Sequence, residues 1–125
     1  MFGDGTRESY SSTPVTAAGG TAYASFVTTR LGAACALTSD GQARCWGRGD
    51  EGEIGNGSFE DTLIPTDVSG GHRFVALASS GSWDYVCGIV TDTGRAYCWG
   101  LGDSAQLGDG EFQRRSEPVL VRLVR

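Results

Sequence analysis

Apolar positions along this chain recur at every second residue or in short unbroken runs. Tyr23-Ala-Ser-Phe-Val-Thr28 alternates as a half-buried strand does, Ala33-Ala-Cys-Ala-Leu37 is small and apolar, and Pro118-Val-Leu-Val-Arg-Leu-Val124 alternates again. No window sustains apolar residues at three-and-four spacing, so the pattern predicts an all-β chain. Turn signals at Ser39-Asp40-Gly41 and Thr91-Asp92-Thr93-Gly94 divide the β-prone runs into two hairpins.

The hairpins are copies of each other. The first reads Cys35-Ala-Leu-Thr-Ser-Asp-Gly-Gln-Ala-Arg-Cys-Trp-Gly47 and the second Cys87-Gly-Ile-Val-Thr-Asp-Thr-Gly-Arg-Ala-Tyr-Cys-Trp-Gly100. Each leads into a glycine-rich loop, Gly52-Glu-Ile-Gly-Asn-Gly57 and Ala105-Gln-Leu-Gly-Asp-Gly110. Trp46 to Trp99, Gly55 to Gly108 and Pro65 to Pro118 are each 53 residues apart. A turn-rich period of this length predicts propeller blades or solenoid units. Phe2-Gly-Asp-Gly-Thr6 with Pro14-Val15 reads as a third, partial copy, so the chain divides into the tail of a preceding repeat (1–20), repeat 1 (21–69), and repeat 2 with an outer strand of the next (70–125).

The order Cys-Ala-Leu-x-x-Asp-Gly, Cys-Trp-Gly, Gly-x-x-Gly-x-Gly, Pro-Val-x-Val resembles the RCC1 (regulator of chromosome condensation) repeat, in a cysteine-containing form similar to bacterial RCC1-like proteins. The resemblance spans nearly the whole chain. It implies a β-propeller of four-stranded blades, here about two blades with partial repeats. Ala33 and Tyr85 stand where the family pattern often has a histidine.

Strand alternation sends Cys45 and Trp46 to opposite faces of a sheet, and Trp46 and Trp99 are expected as packing between blades. Ile54 and Leu107, at matching positions, are expected to plug each blade's edge. A loop centred on Asp40 sets Cys35 opposite Cys45, and a turn centred on Asp92-Thr93 sets Cys87 opposite Cys98. Opposed Cα atoms about 4.5–5.5 Å apart permit a disulfide in each hairpin. Disulfides point to an oxidising setting, extracellular or cell envelope in a bacterium; reduced, buried cysteines in a cytoplasmic protein are the other reading. Zinc is disfavoured, because no Cys-x-x-Cys spacing occurs and His72 is the single histidine. The N-terminus shows no basic region followed by an apolar core, so no signal peptide is read.

The net charge of −5 argues against a nucleic-acid partner and against an anionic membrane surface, and no apolar stretch approaches the roughly 20 residues that span a bilayer. His72 lies in a Gly-Gly-His turn with no nucleophile near it in sequence, and no phosphate-cradling loop is present, so neither an enzyme nor a bound cofactor is expected.

Candidate chemistry is confined to loops. Arg48-Gly-Asp50 spells an adhesive tripeptide and Asn56-Gly-Ser58 a glycosylation sequon, but both fall where the repeat already requires a turn. Asp50, Glu51 and Glu53 lack calcium-loop spacing. With Phe74 matched to Phe26, repeat 2 carries four extra residues around Ser79-Ser-Gly-Ser-Trp83, which puts Trp83 on a loop. Trp83 is thus the first candidate for partner contact, with Arg48, Asp50 and Glu51. The leading function is protein–protein recognition, by a chain that self-associates or adjoins further blades. The alternatives are guanine-nucleotide exchange on a small GTPase, and a structural cassette. The exchange activity, by resemblance, needs a complete propeller and an inserted hairpin for which no segment here matches.

Overall fold

In a computed structural model, residues 3–6, 17–102, 107–108 and 113–122 are described. Phe2, Pro14, Val15, the loop positions 105–106 and 109–110, and the end of the last alternating run lie outside them. Among the described residues eight strands form two four-stranded antiparallel sheets of the same order. The first contains β1 (Ser25–Thr28), β2 (Ala33–Leu37), β3 (Ala43–Gly47) and β4 (Thr62–Asp67). The second contains β5 (Phe74–Ala78), β6 (Tyr85–Val90), β7 (Ala96–Gly100) and β8 (Arg115–Leu120). β8 is the fourth strand of its own sheet, pairing with β7 as β4 pairs with β3. No described helix is long and apolar enough to cross a membrane.

The central hairpins follow the predicted register: Cys35 faces Cys45 and Cys87 faces Cys98. Thr38 and Gln42 close the three-residue loop centred on Asp40, with Gly41 at φ +88. The second turn is wider than a two-residue loop. Val90 N–H donates to Arg95 O, but Gly94 N–H returns to Val90 O, so residues 91–94 form the loop. In both sheets the register shifts at the tryptophan, between Cys45 and Gly47 and between Cys98 and Gly100. The glycine after each tryptophan is required: at Gly47 (φ +98) a Cβ would lie 2.2 Å from Gly32 O, and at Gly100 (φ +104) 2.5 Å from Asp84 O.

The inner strands correct the alignment of the repeats. Val27 pairs with Cys35 and Ala78 with Cys87, so Val27 is the equivalent of Ala78, and counting back makes Tyr23 the equivalent of Phe74. Ring contacts agree: Tyr23 packs on Trp46 as Phe74 packs on Trp99. Phe74 therefore does not match Phe26. From aromatic to cysteine the repeats differ by one residue rather than four (Tyr23 to Cys35 is 12, Phe74 to Cys87 is 13). Similarity of residue type misled here, because Tyr and Phe fill the same aromatic seat.

The core lies between the sheets. Cys35, Leu37, Ala43, Cys45, Ile54 and Val68 from the first repeat meet Phe74, Val86 and Trp99 from the second. Trp99 is fully buried in this joint, and Trp46 is half-buried against Gly3 and Tyr23. Ile54 and Leu107 are both fully buried.

Candidate interaction surface

Consecutive antiparallel strands place the β1–β2, β3–β4 and β5–β6 connections at one end of the blades. Two bonds lock neighbouring loops together there. Arg30 N–H donates to Trp83 O at 3.4 Å, and Leu31 N–H donates to the Asp84 carboxylate at 2.8 Å. Asp84 is buried, and its place in repeat 1 is taken by Gly32, so this side-chain staple belongs to the second repeat alone.

The same correspondence makes Leu31 the equivalent of Trp83. Both are exposed, at 46% and 52%, on adjacent loop tips. The loop between β5 and β6 runs from 79 to 84, and Trp83 stands on it as the sequence predicts, although the insertion that suggested it is a single residue. Leu31 escaped the sequence reading because its partner across the repeats became visible only through strand register.

Arg48, Asp50 and Glu51 open the β3–β4 loop at the same end. Arg48 and Asp50 form a two-pronged ion pair at 2.6 and 2.5 Å, so the charged ends of the Arg-Gly-Asp tripeptide are engaged with each other. The side-chain bond to Arg48 holds the Asp50 carboxyl below its ordinary range and raises the guanidinium. Arg114 donates to Asp50 O at 2.6 Å and lies 4.2 Å over the Phe59 ring. Among the described residues the end surface therefore carries three exposed apolar side chains, Leu31, Trp83 and Phe59, beside the Arg48–Asp50 ion pair.

Glu53 lies beneath this surface, fully buried. Its backbone carbonyl accepts the Trp99 indole N–H at 2.9 Å, and its Oε1 accepts Glu51 N–H at 2.7 Å, while Oε2 has no partner. Burial pushes this carboxyl up to about 7, against two backbone hydrogen bonds that lower it, and Asp50 and Asp84 add repulsion. In the sequence Glu53 is one carboxylate of an acidic loop; its burial depends on the second blade, whose Trp99 closes over it.

Elsewhere the chemistry is structural. His72 stacks 4.2 Å from Tyr97 and also touches Phe74. Asn56 accepts Ser58 N–H in a local turn. Among the described residues no three His, Cys, Asp or Glu side chains are grouped to hold a metal ion.

Comparison with known proteins agrees with this architecture. The family model of the Regulator of chromosome condensation (RCC1) repeat matches residues 40–87 and 93–125. The human E3 ubiquitin-protein ligase HERC2 is 39% identical over 88 residues, covering 69% of this chain and 2% of that protein. The Ultraviolet-B receptor UVR8 of Arabidopsis thaliana is 32% identical over 89 residues, 70% of this chain and 20% of its own length. Human Regulator of chromosome condensation is 36% identical over 84 residues, 66% of this chain and 19% of that one. The chain thus spans about a fifth or less of these relatives. Among solved structures, Prp20p from Saccharomyces cerevisiae, described together with its binding properties to Gsp1p and histones, superposes with a TM-score of 0.72 at 18% identity, covering 87% of this chain and 27% of its own. Human WBSCR16 gives 0.65 at 20% identity, with coverage of 82% and 26%. These likenesses establish RCC1-type propeller blades as the fold.

Proposed function

The chain belongs to the RCC1 repeat family, and from that premise we propose that it is a non-enzymatic protein–protein interaction module whose partner docks on the loop end bearing Leu31 and Trp83. One observation carries this reading: equivalent positions of two successive repeats both present a large, exposed apolar side chain on hydrogen-bonded loop tips. Arg48, Asp50 and Glu51 at the same end supply a polar rim, the arrangement in which a buried aromatic anchor contributes most of the binding energy. The net charge of −5 supports a protein rather than a nucleic acid as partner. The two cross-strand cysteine pairs, Cys35–Cys45 and Cys87–Cys98, support an oxidising compartment such as the cell envelope or the extracellular space.

Trp83→Ala tests the reading. With Trp83 outside the inter-blade core, the variant keeps the melting temperature of the parent. Association with a captured partner weakens by about 2 kcal/mol, roughly 30-fold, as for an interface anchor. An unchanged affinity, measured by titration calorimetry, removes the loop end from consideration and favours a structural cassette. Guanine-nucleotide exchange is the competing activity: accelerated nucleotide release from a small GTPase by this chain would replace the binding-module reading.

A further inference from the structure

The joint between the two blades is a head-to-tail interface. The trailing face of repeat 1 is covered by the leading face of repeat 2. Phe74 N–H donates to Gly41 O at 2.9 Å, and Trp99 closes over Gly55 and Val68. Repeat 2 carries the same trailing face at the same register. Cys87, Ile89, Ala96, Cys98 and Val121 occupy the places of Cys35, Leu37, Ala43, Cys45 and Val68.

That second face is uncovered among the described residues. Leu37 is 4% exposed in the joint, whereas Ile89 is 38% exposed. A Cβ on Gly41 would lie 2.9 Å from Phe74 O, whereas one on Gly94 would meet nothing within 4 Å. A depression of about 680 Å³ lies there, lined by residues that include Gly94, Arg95, Ala96, Leu120 and Val121.

We propose that this face takes the leading face of repeat 1 from a second copy of the chain, so that copies associate head to tail. Two features select that occupant. The first is shape: Tyr23 and Trp46 present the same ring pair that Phe74 and Trp99 bring to the internal joint. The second is charge. In the joint, Arg73 of the leading face reaches Gln42 of the trailing face. In repeat 2 the Gln42 position is Arg95, so a repeat led by Arg73 would set two guanidinium groups against each other. Repeat 1 has Ala22 at the Arg73 position, which leaves room for Arg95 and brings no like charge.

The loop half of the docking site is already filled within each copy. Gly3 packs against Trp46, and Gly5 N–H donates to Leu63 O, as Gly55 packs against Trp99 and Gly57 N–H donates to Ser116 O. The incoming copy therefore supplies the strand half, with Tyr23 N–H donating to Gly94 O. Such a heterologous contact closes into a ring or continues as a filament, according to its rotation.

The geometry of the joint supplies a trap. A Cβ on Gly41 would be 3.4 Å from the Arg73 Cβ, close to the spacing of a disulfide, and the intermolecular equivalents are Gly94 and Ala22. Gly94→Cys and Ala22→Cys chains, purified separately and mixed under mild oxidation, are expected to form a cross-linked dimer that neither forms alone. In parallel, sedimentation of the unsubstituted chain is expected to give concentration-dependent masses above the 13.1 kDa monomer. Ile89→Glu, at an exposed position, should weaken that association at least tenfold. A 13.1 kDa species at every concentration overturns the proposal. So do oligomers indifferent to Ile89→Glu, and cross-linking of one variant with itself as readily as in the mixture. The loop end bearing Trp83 is not part of this contact, so its failure as a partner site leaves the test unaffected.

Discussion

At the scale of single residues, Glu53 is the side chain whose environment most contradicts its chemistry. It is a carboxyl sealed in an inter-blade core, with one oxygen bonded to Glu51 N–H and the other unpartnered. Burial raises it from 4.5 to about 7, so the folded chain holds a proton that the unfolded chain has released. Stability therefore falls as pH rises between about 4.5 and 7, by roughly 3 kcal/mol at most, and the loss is complete above that window. The second repeat carries Gln106 at the matching position. Glu53→Gln is expected to raise the melting temperature at pH 8 and to leave it nearly unchanged at pH 4.5. Melting curves at the two values check this; an equal gain at both assigns the effect to packing. Asp84 is the other residue that sequence alone left obscure. Its role as a staple to Leu31 N–H needs a neighbouring blade to receive it.

At the scale of elements, the hairpins were legible from the chain alone. Turn residues and alternating apolar positions set the register to within one residue, and the cysteines fall opposite each other with Cα atoms 4.0 Å apart. The inner strands β1 and β5 were less legible. Phe26, Val27, Phe74 and Val75 all suit a strand, and residue type gave the wrong pairing, which the partner register across Cys35 and Cys87 corrected. The hairpins differ in what covers them. Cys35 and Cys45 are fully buried in the joint, while Cys87 is half-buried on a trailing face that the described residues leave uncovered. In dilute solution, where copies are dissociated, limited reduction followed by alkylation should therefore label Cys87 and Cys98 before Cys35 and Cys45. Equal labelling, read by peptide mass spectrometry, would contradict the difference in cover.

At the scale of the whole molecule, stability resides between blades rather than within them, because a single four-stranded sheet leaves both apolar faces without cover. The two turn glycines report on this. Gly41 and Gly94 both have positive φ, and alanine at either carries the left-handed penalty of roughly 1 kcal/mol. Only at Gly41 does the added Cβ also strike the next blade's backbone, 2.9 Å from Phe74 O. Gly41→Ala is expected to cost at least about 1 kcal/mol more than Gly94→Ala in urea unfolding; equal costs would mean that the joint does not constrain the turn.

The sequence by itself determined the all-β class, the period, the hairpin register and the placing of Trp83 on a loop, because each follows from local alternation and turn chemistry that repeat along the chain. Only the tertiary structure decided which tryptophan is sealed, which carboxyl is stranded, and that Leu31 and Trp83 occupy equivalent places. Those outcomes depend on which face of a blade meets another. The two repeats share their local pattern, but among the described residues one trailing face is covered by the next blade and the other is not.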